Sequence, residues 1–266
     1  MNKKKYVAII TLLAIVLSAC LSPVIFTDDR LSKEEVQTLR KDYPFYDDVF
    51  EDSAIMDYSP AAKTETIRDY IKINDTYAYC EVTGEPLYEK VVVDNGVLGA
   101  DNDKMVMTRY QYPVKIISDT EGIFQKGQEI SFCYGLIFQD NCPSPKPGEK
   151  IILLISAGLG ENEGVFYSDS LGYYSITQKG YVMSAFREKG GFSYSGMKAE
   201  NLMKELSKNK DELLYYSKLR KYEYELAYGS ETFTDVETYK AKVKNELIPK
   251  NQEMVKSLKE TASAEK

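Results

Sequence analysis

This chain of 266 residues contains no histidine and no tryptophan. Without histidine there can be no Ser–His or Cys–His nucleophile pair and no imidazole ligation of zinc. The lack of tryptophan weakens any reading as a sugar-stacking protein. Positive charge is also in deficit: 34 Lys and Arg stand against 41 Asp and Glu, for a net charge of −7. With no basic stripe to displace counterions from phosphates, nucleic acid is not expected as a partner. Cysteine is sparse, at positions 20, 80, 133 and 142. The remaining composition, 43% hydrophobic and 28% charged, is that of an ordinary globule.

Long apolar runs are scarce as well, and the conspicuous one is N-terminal. Lys3, Lys4 and Lys5 precede residues 6–26, a run without a charge. A basic start, an apolar stretch and small residues before a cleavage point make an export signal. Within it, Leu17-Ser18-Ala19-Cys20 resembles the lipobox of bacterial prolipoproteins. The resemblance implies a signal peptide over residues 1–19, cut before Cys20, and a diacylated Cys20 that anchors the chain to the cell membrane. Leu21-Ser22-Pro23-Val24-Ile25-Phe26 departs from that pattern by staying apolar. Residues 6–26 are therefore also long enough to span roughly 30 Å of hydrocarbon as an uncut anchor. A plain secretory signal with an incidental cysteine is the third reading. All three place the rest of the chain outside the cytoplasm, with the lysines inside.

Residues 20–60 read as an acidic tether, with one short helix near residues 32–40 where Ser32 and Glu35 make a capping box. A helix is expected over residues 61–71. Short strands then follow at 76–82, 91–93, 105–117, 128–138, 150–156, 165–167, 173–177 and 181–186, punctuated by Asp-Asn-Gly, Lys-Gly and Pro-Gly turns. Ile151 to Ile155 is continuously apolar and should be the most buried strand. Cys133 and Cys142 flank a turn-like Asp140-Asn141-Cys142-Pro143 and make a candidate disulfide in an exported protein. The alternative is that cysteines on apolar strands, Cys80 among them, are small buried residues.

The succession of helix, strand, long strand ending Val114-Lys115-Ile116-Ile117, Lys126-Gly127 turn and apolar strand after Pro147-Gly148-Glu149-Lys150 resembles a barrel module of exported Gram-positive proteins. That module is similar in plan to OB-like netrin/TIMP-type domains, so the resemblance implies an antiparallel β-barrel over residues 61–190. Beyond Gly190-Gly191 the pattern turns helical over residues 191–266. Leu202, Leu206, Leu213, Tyr216 and Leu219 sit at partly helical spacing, and Val236, Val243, Leu247, Met254 and Leu258 line one helical face. Thr234 and Glu237 match a capping box, and Pro249 should kink or split the last helix near Leu247. The fold class expected is α+β: an OB-like antiparallel barrel followed by a C-terminal helical hairpin.

Catalytic signals are weak. Gly158-Leu159-Gly160 lacks the third glycine of a dinucleotide loop, where Glu163 stands, and a strand rather than a helix should follow. Ser195-Gly196-Met197-Lys198 matches S-x-x-K, but so do Ser207 and Lys210, and the partner motifs of that chemistry are out of order. Asp101-Asn102-Asp103 lacks the glycine and terminal glutamate of a calcium loop. Tyr77, Tyr79, Tyr110, Tyr112, Tyr173 and Tyr174 fall on strands, where they either pack the sheet or offer a face to sugars or peptides. No catalytic residue, metal or cofactor is expected. The function expected is a membrane-anchored, non-enzymatic binding module, with a protein partner reached through the C-terminal helices. A carboxylate-dependent envelope hydrolase and an inhibitor of an extracellular enzyme are the alternatives.

Overall fold

The computed structural model describes residues 29–46, 75–94, 104–136, 139–158, 163–186, 194–208 and 240–264. The chain divides into two units, Met1–Arg30 and Leu31–Lys266, and every element below belongs to the second. The expected helix at residues 61–71, the Asp101-Asn102-Asp103 cluster and the Thr234–Glu237 box lie outside the described residues, as does the lipobox.

Seven strands form one antiparallel sheet: β1 (Asp75–Val82), β2 (Leu87–Asp94), β3 (Lys104–Asp119), β4 (Glu129–Phe132), β5 (Lys150–Ala157), β6 (Phe166–Ile176) and β7 (Val182–Ser184). The order runs β2-β3-β1-β5-β6-β7, with β4 beside β3. β3 is long enough to take partners in succession. Its first half pairs with β2, from Leu87↔Gln111 to Asp94↔Lys104. Its second half pairs with β1, where Val82 faces Val114, and with β4, where Tyr112 faces Phe132. Past β4, Cys133 meets Tyr167 in an isolated parallel bridge, with Cys133 N–H donating to Phe166 C=O at 2.9 Å. β4 and β6 thus touch at a bridge rather than along a ladder, and the ladder does not close into a barrel.

Side-chain alternation sorts the sheet into two cores. Ala78, Cys80 and Val82 of β1, Tyr112, Val114 and Ile116 of β3, and Ile151, Leu153 and Ile155 of β5 fill the first. Tyr77 and Tyr79, with Ile152, Leu154 and Tyr174, face the second. β5 is apolar at every position from Ile151 to Ile155 because both its faces are covered, as its continuous run predicts.

β6 unites two expected strands. Its pairing with β5 slips between Ile152 and Leu154, so the Leu171-Gly172 turn expected from sequence is instead a bulge within one strand. A Cβ on Gly172 would meet Leu154 Cβ at 2.8 Å, so glycine allows this close approach.

Three helices are described. α1 (Lys33–Leu39) starts with the expected capping box: Ser32 Oγ accepts from Glu35 N–H, and Ser32 N–H donates to the Glu35 carboxylate. α2 (Ala199–Lys208) lays Ala199, Leu202, Met203 and Leu206 on the second core. A π-helical turn, Val243–Leu247, leads into α3 (Ile248–Ala264). Val243, Leu247 and Ile248 insert into the first core. α2 and the C-terminal helix serve different cores, because each apolar stripe finds a sheet face of its own; the helix expected over residues 210–227, and with it the helical hairpin, lies outside the described residues. Near Leu247, where Pro249 is expected to kink or split the helix, the helix changes type at the π-helical turn. Ile248 N–H reaches back to Val243 C=O in the widened turn, which makes room for a ring that cannot donate to the helix ladder.

Candidate interaction surface

The face of β3 that is buried from Tyr112 onward runs off the core at its other end. Tyr110 is half-buried, and Thr108 and Val106 on the same face are exposed. β2 continues that face across the ladder through the pairs Tyr88↔Tyr110, Lys90↔Thr108 and Val92↔Val106. Tyr88 meets Tyr110 edge-on, with ring centroids 5.6 Å apart. Tyr88, Val92 and Val106 are 66%, 60% and 61% exposed, so the β-branched and aromatic residues that made this ribbon read as strand are covered by nothing among the described residues.

The opposite face of the ribbon is held down by polar groups. Glu89 accepts from Gln111 Nε2 at 3.0 Å and pairs with the buried Arg109 at 3.4 Å. Gln111 Oε1 accepts from Ser131 Oγ at 3.0 Å. Asn251 of α3, fully buried, accepts from Ser131 N–H at 2.8 Å and donates to Gly164 C=O at 2.8 Å. The Arg109 guanidinium also lies over Tyr167, 5.7 Å from the ring centroid. This network joins β2, β3, β4 and α3, so the ribbon projects from a fixed base.

The far edge of β3 is engaged at Thr108 and Tyr110. Gln139, from the short 3-10 turn Gln139–Asn141, accepts from Tyr110 N–H at 3.1 Å and donates to Thr108 C=O. Its amide stands in for a missing strand.

The cysteines fall on different faces. Cys142 lies in the first core, whereas Cys133 alternates with Phe132 and Tyr134 and so points away from that core toward Arg109. The two are separate buried thiols rather than the bridged pair offered from spacing, since side chains on opposite faces cannot meet the geometry of a disulfide. Burial pushes the Cys133 thiol up to about 12, against the pull of Arg109, and burial raises Cys80 further. Neither is an activated nucleophile.

The tyrosine face expected from sequence is mostly core. Tyr77, Tyr79 and Tyr174 lie in the second core beneath α2, and Tyr112 and Tyr173 in the first. Tyr110 alone of that set reaches the open ribbon, where its neighbour is Tyr88, a residue that strand spacing did not single out.

Ser195 and Lys198 are not a catalytic pair. Ser195 Oγ accepts from Arg40 Nη2 at 2.8 Å and from Ser184 N–H at 3.1 Å. Lys198 donates to Lys179 C=O at 2.9 Å and sits over the Tyr181 ring. Glu163, where a dinucleotide loop needs glycine, is paired with Lys242 at 2.7 Å and with Lys250. These hydrogen-bonded lysines hold its carboxyl down at about 2.

The carboxyl of Asp119 is raised by burial, yet it caps a turn by accepting from Ile123 N–H at 2.7 Å. No group of three or more His, Cys, Asp or Glu side chains that could hold a metal ion occurs among the described residues. No helix among them is long and apolar enough to cross a membrane.

A second surface feature is a groove of about 580 Å³ along α3, lined by Val255, Lys256, Lys259, Glu260 and Ser263 with Glu129 of β4. Its lining is largely long charged side chains. The ribbon is the stronger candidate, because whole apolar side chains stand exposed there, whereas the groove is lined largely by the stems of charged residues that can move with solvent. Compared with family models, with curated proteins and with solved structures, the chain matches none of them, so its surface has to be read from its own chemistry.

Proposed function

We propose that this chain is an extracytoplasmic lipoprotein, anchored to the cell membrane through lipid on Cys20, that works as a non-enzymatic binding module. The observation that carries the binding reading is where apolar surface is left uncovered. Of the five large hydrophobic side chains exposed among the described residues, Tyr88, Val92 and Val106 share one face of the ribbon, Met105 lies on its other face, and Phe45 lies elsewhere. Apolar area gathered in that way marks an interaction site more often than scattered exposure does. The anchoring reading is supported by the basic start, the uncharged run and the Leu17-Ser18-Ala19-Cys20 motif.

An OB-like barrel plan is part of the same reading. Such a plan is a partly open Greek-key barrel, whose sheet needs a strand shared between its halves and a contact that brings its ends together. Two features support it: β1 pairs with both β3 and β5, and Cys133 meets Tyr167 in parallel. The β2 ribbon is then an addition beside the barrel and the natural place for a contact.

Photo-crosslinking on intact cells tests the binding reading, with the reactive side chain placed in turn at Val92, Val106 and, on α3, Glu253. Capture of the same protein from positions 92 and 106, and its loss on Tyr88→Ser with Val106→Ser, is expected. Capture from position 253 alone would move the contact to the C-terminal helix. For the anchor, Cys20→Ala should release the protein from the membrane fraction or block its maturation. Unchanged retention with an unshifted mass would favour an uncut residue 6–26 anchor.

A further inference from the structure

We infer that β2 accepts an extended segment of a partner protein as an added antiparallel strand, and that this segment carries an acidic residue between two apolar ones. The inference rests on the ribbon being the interaction surface and specifies what would bind there.

The hydrogen-bonding direction of the ladder is fixed by Gln139. Its side chain takes the N–H of Tyr110 and the C=O of Thr108, so the even-numbered backbone groups of β3 point away from β2. Tyr88↔Tyr110, Lys90↔Thr108 and Val92↔Val106 are therefore the non-hydrogen-bonded pairs of the ladder. It follows that the N–H and C=O groups of Tyr88, Lys90 and Val92 point outward, to the side of β2 where no strand lies among the described residues.

Two other margins carry partners: Val182 of β7 is bonded on its outer side to Met197 and Gly196, and Gln139 takes Tyr110 N–H and Thr108 C=O of β3. Among the described residues, β2, eight residues long, has a strand on its β3 side alone, which leaves its outer side as a template.

The side chains beside that template state the rest. Tyr88 and Val92 flank Lys90 on one face, at alternating positions, and all three are exposed. Lys90 makes no ion pair among the described residues. An incoming strand pairs residue for residue with such a row, so a carboxylate belongs opposite Lys90 and apolar side chains belong two residues to either side.

A second copy of this chain fits poorly. The self-pairing that satisfies every outward group from Tyr88 to Val92 centres on Lys90 and sets two ammonium groups directly opposite one another, a destabilising arrangement.

The test uses the purified full-length chain and three fluorescent peptides: one with valine, aspartate and valine at every second position and threonine between them, one with lysine in place of that aspartate, and the aspartate peptide with the backbone nitrogens of those valine and aspartate positions methylated. The aspartate peptide should bind roughly tenfold more tightly than the lysine peptide, an effect of cross-strand charge. Its binding should protect the amides of Tyr88, Lys90 and Val92 from hydrogen exchange. Lys90→Glu should reverse the preference, and methylation should abolish binding.

Equal binding of the methylated peptide would overturn strand addition. An unchanged preference in Lys90→Glu would overturn the acidic requirement, and dimerisation through β2 would assign the edge to a second copy. If no peptide binds while positions 92 and 106 still crosslink a partner, strand addition fails and the ribbon stands as a docking face for a folded protein. If neither occurs, the ribbon reading itself falls.

Discussion

Asn251 carries more of the structure than its size suggests. It is fully buried, and its amide bonds both the Ser131 backbone and Gly164 C=O, tying α3 to β4 and to the turn before β6. Asn251→Leu would keep the volume but leave the Ser131 N–H and the Gly164 C=O without this partner in a dry site. A loss of about 1–3 kcal/mol is expected, as for other buried polar groups left unsatisfied. Urea unfolding of the full chain measures it, and a change under a few tenths would show that water replaces the amide. Gly164 belongs to the same joint: its φ is +89°, and a Cβ there would meet Lys250 Cβ at 2.7 Å. Only glycine allows the turn to approach α3 so closely.

Residues 31–46, expected as part of a tether, pack against the domain. Leu31 N–H donates to Gly196 C=O and Tyr46 N–H to Ala185 C=O, both at 2.9 Å. Between them Arg40 donates to Ser184 C=O at 2.6 Å and to Ser195 Oγ, and its guanidinium covers the Phe45 ring at 3.7 Å. The arm lies tightly on Gly196, where a Cβ would meet Val36 Cγ2 at 2.8 Å and φ is +88°. Gly196→Ala should therefore loosen the arm while leaving both cores folded. Protease cleavage within residues 33–46 should accelerate with the thermal midpoint little changed. A large fall in that midpoint with no gain in cleavage would mean that the arm is integral to the core. The ribbon differs in kind from the arm, being fixed by the Glu89–Arg109–Gln111 network on one face and open on the other.

Across the whole molecule, one charge cluster links the C-terminal helix to the sheet. Glu163 is held at about 2 by hydrogen bonds from Lys242 and Lys250, below its ordinary 4.5. A depressed acid contributes stability that is complete above its unfolded value and disappears as pH falls through the folded one. The chain should thus lose stability between about pH 5 and 2, and Glu163→Gln should flatten that part of the profile while lowering stability at pH 7. Equal acid slopes for the two proteins would assign the loss to other carboxylates.

Much of the fold was legible along the chain. The α1 capping box, the doubly buried β5 and the long β3 each follow from local pattern, because burial on one or both faces of a strand writes itself into alternation. Tertiary structure decided the rest. Whether Leu171-Gly172 is a turn or a bulge depends on the register with β5, which no local signal carries. Tyr77, Tyr79 and Tyr174 became core because α2 covers them, and α2 returns from far along the sequence. The ribbon read as ordinary strand from its Val91-Val92-Val93 run. That its Tyr88–Val92–Val106 face is open follows only from where the core ends, since exposure belongs to the packed whole and the residues alone specify only the alternation.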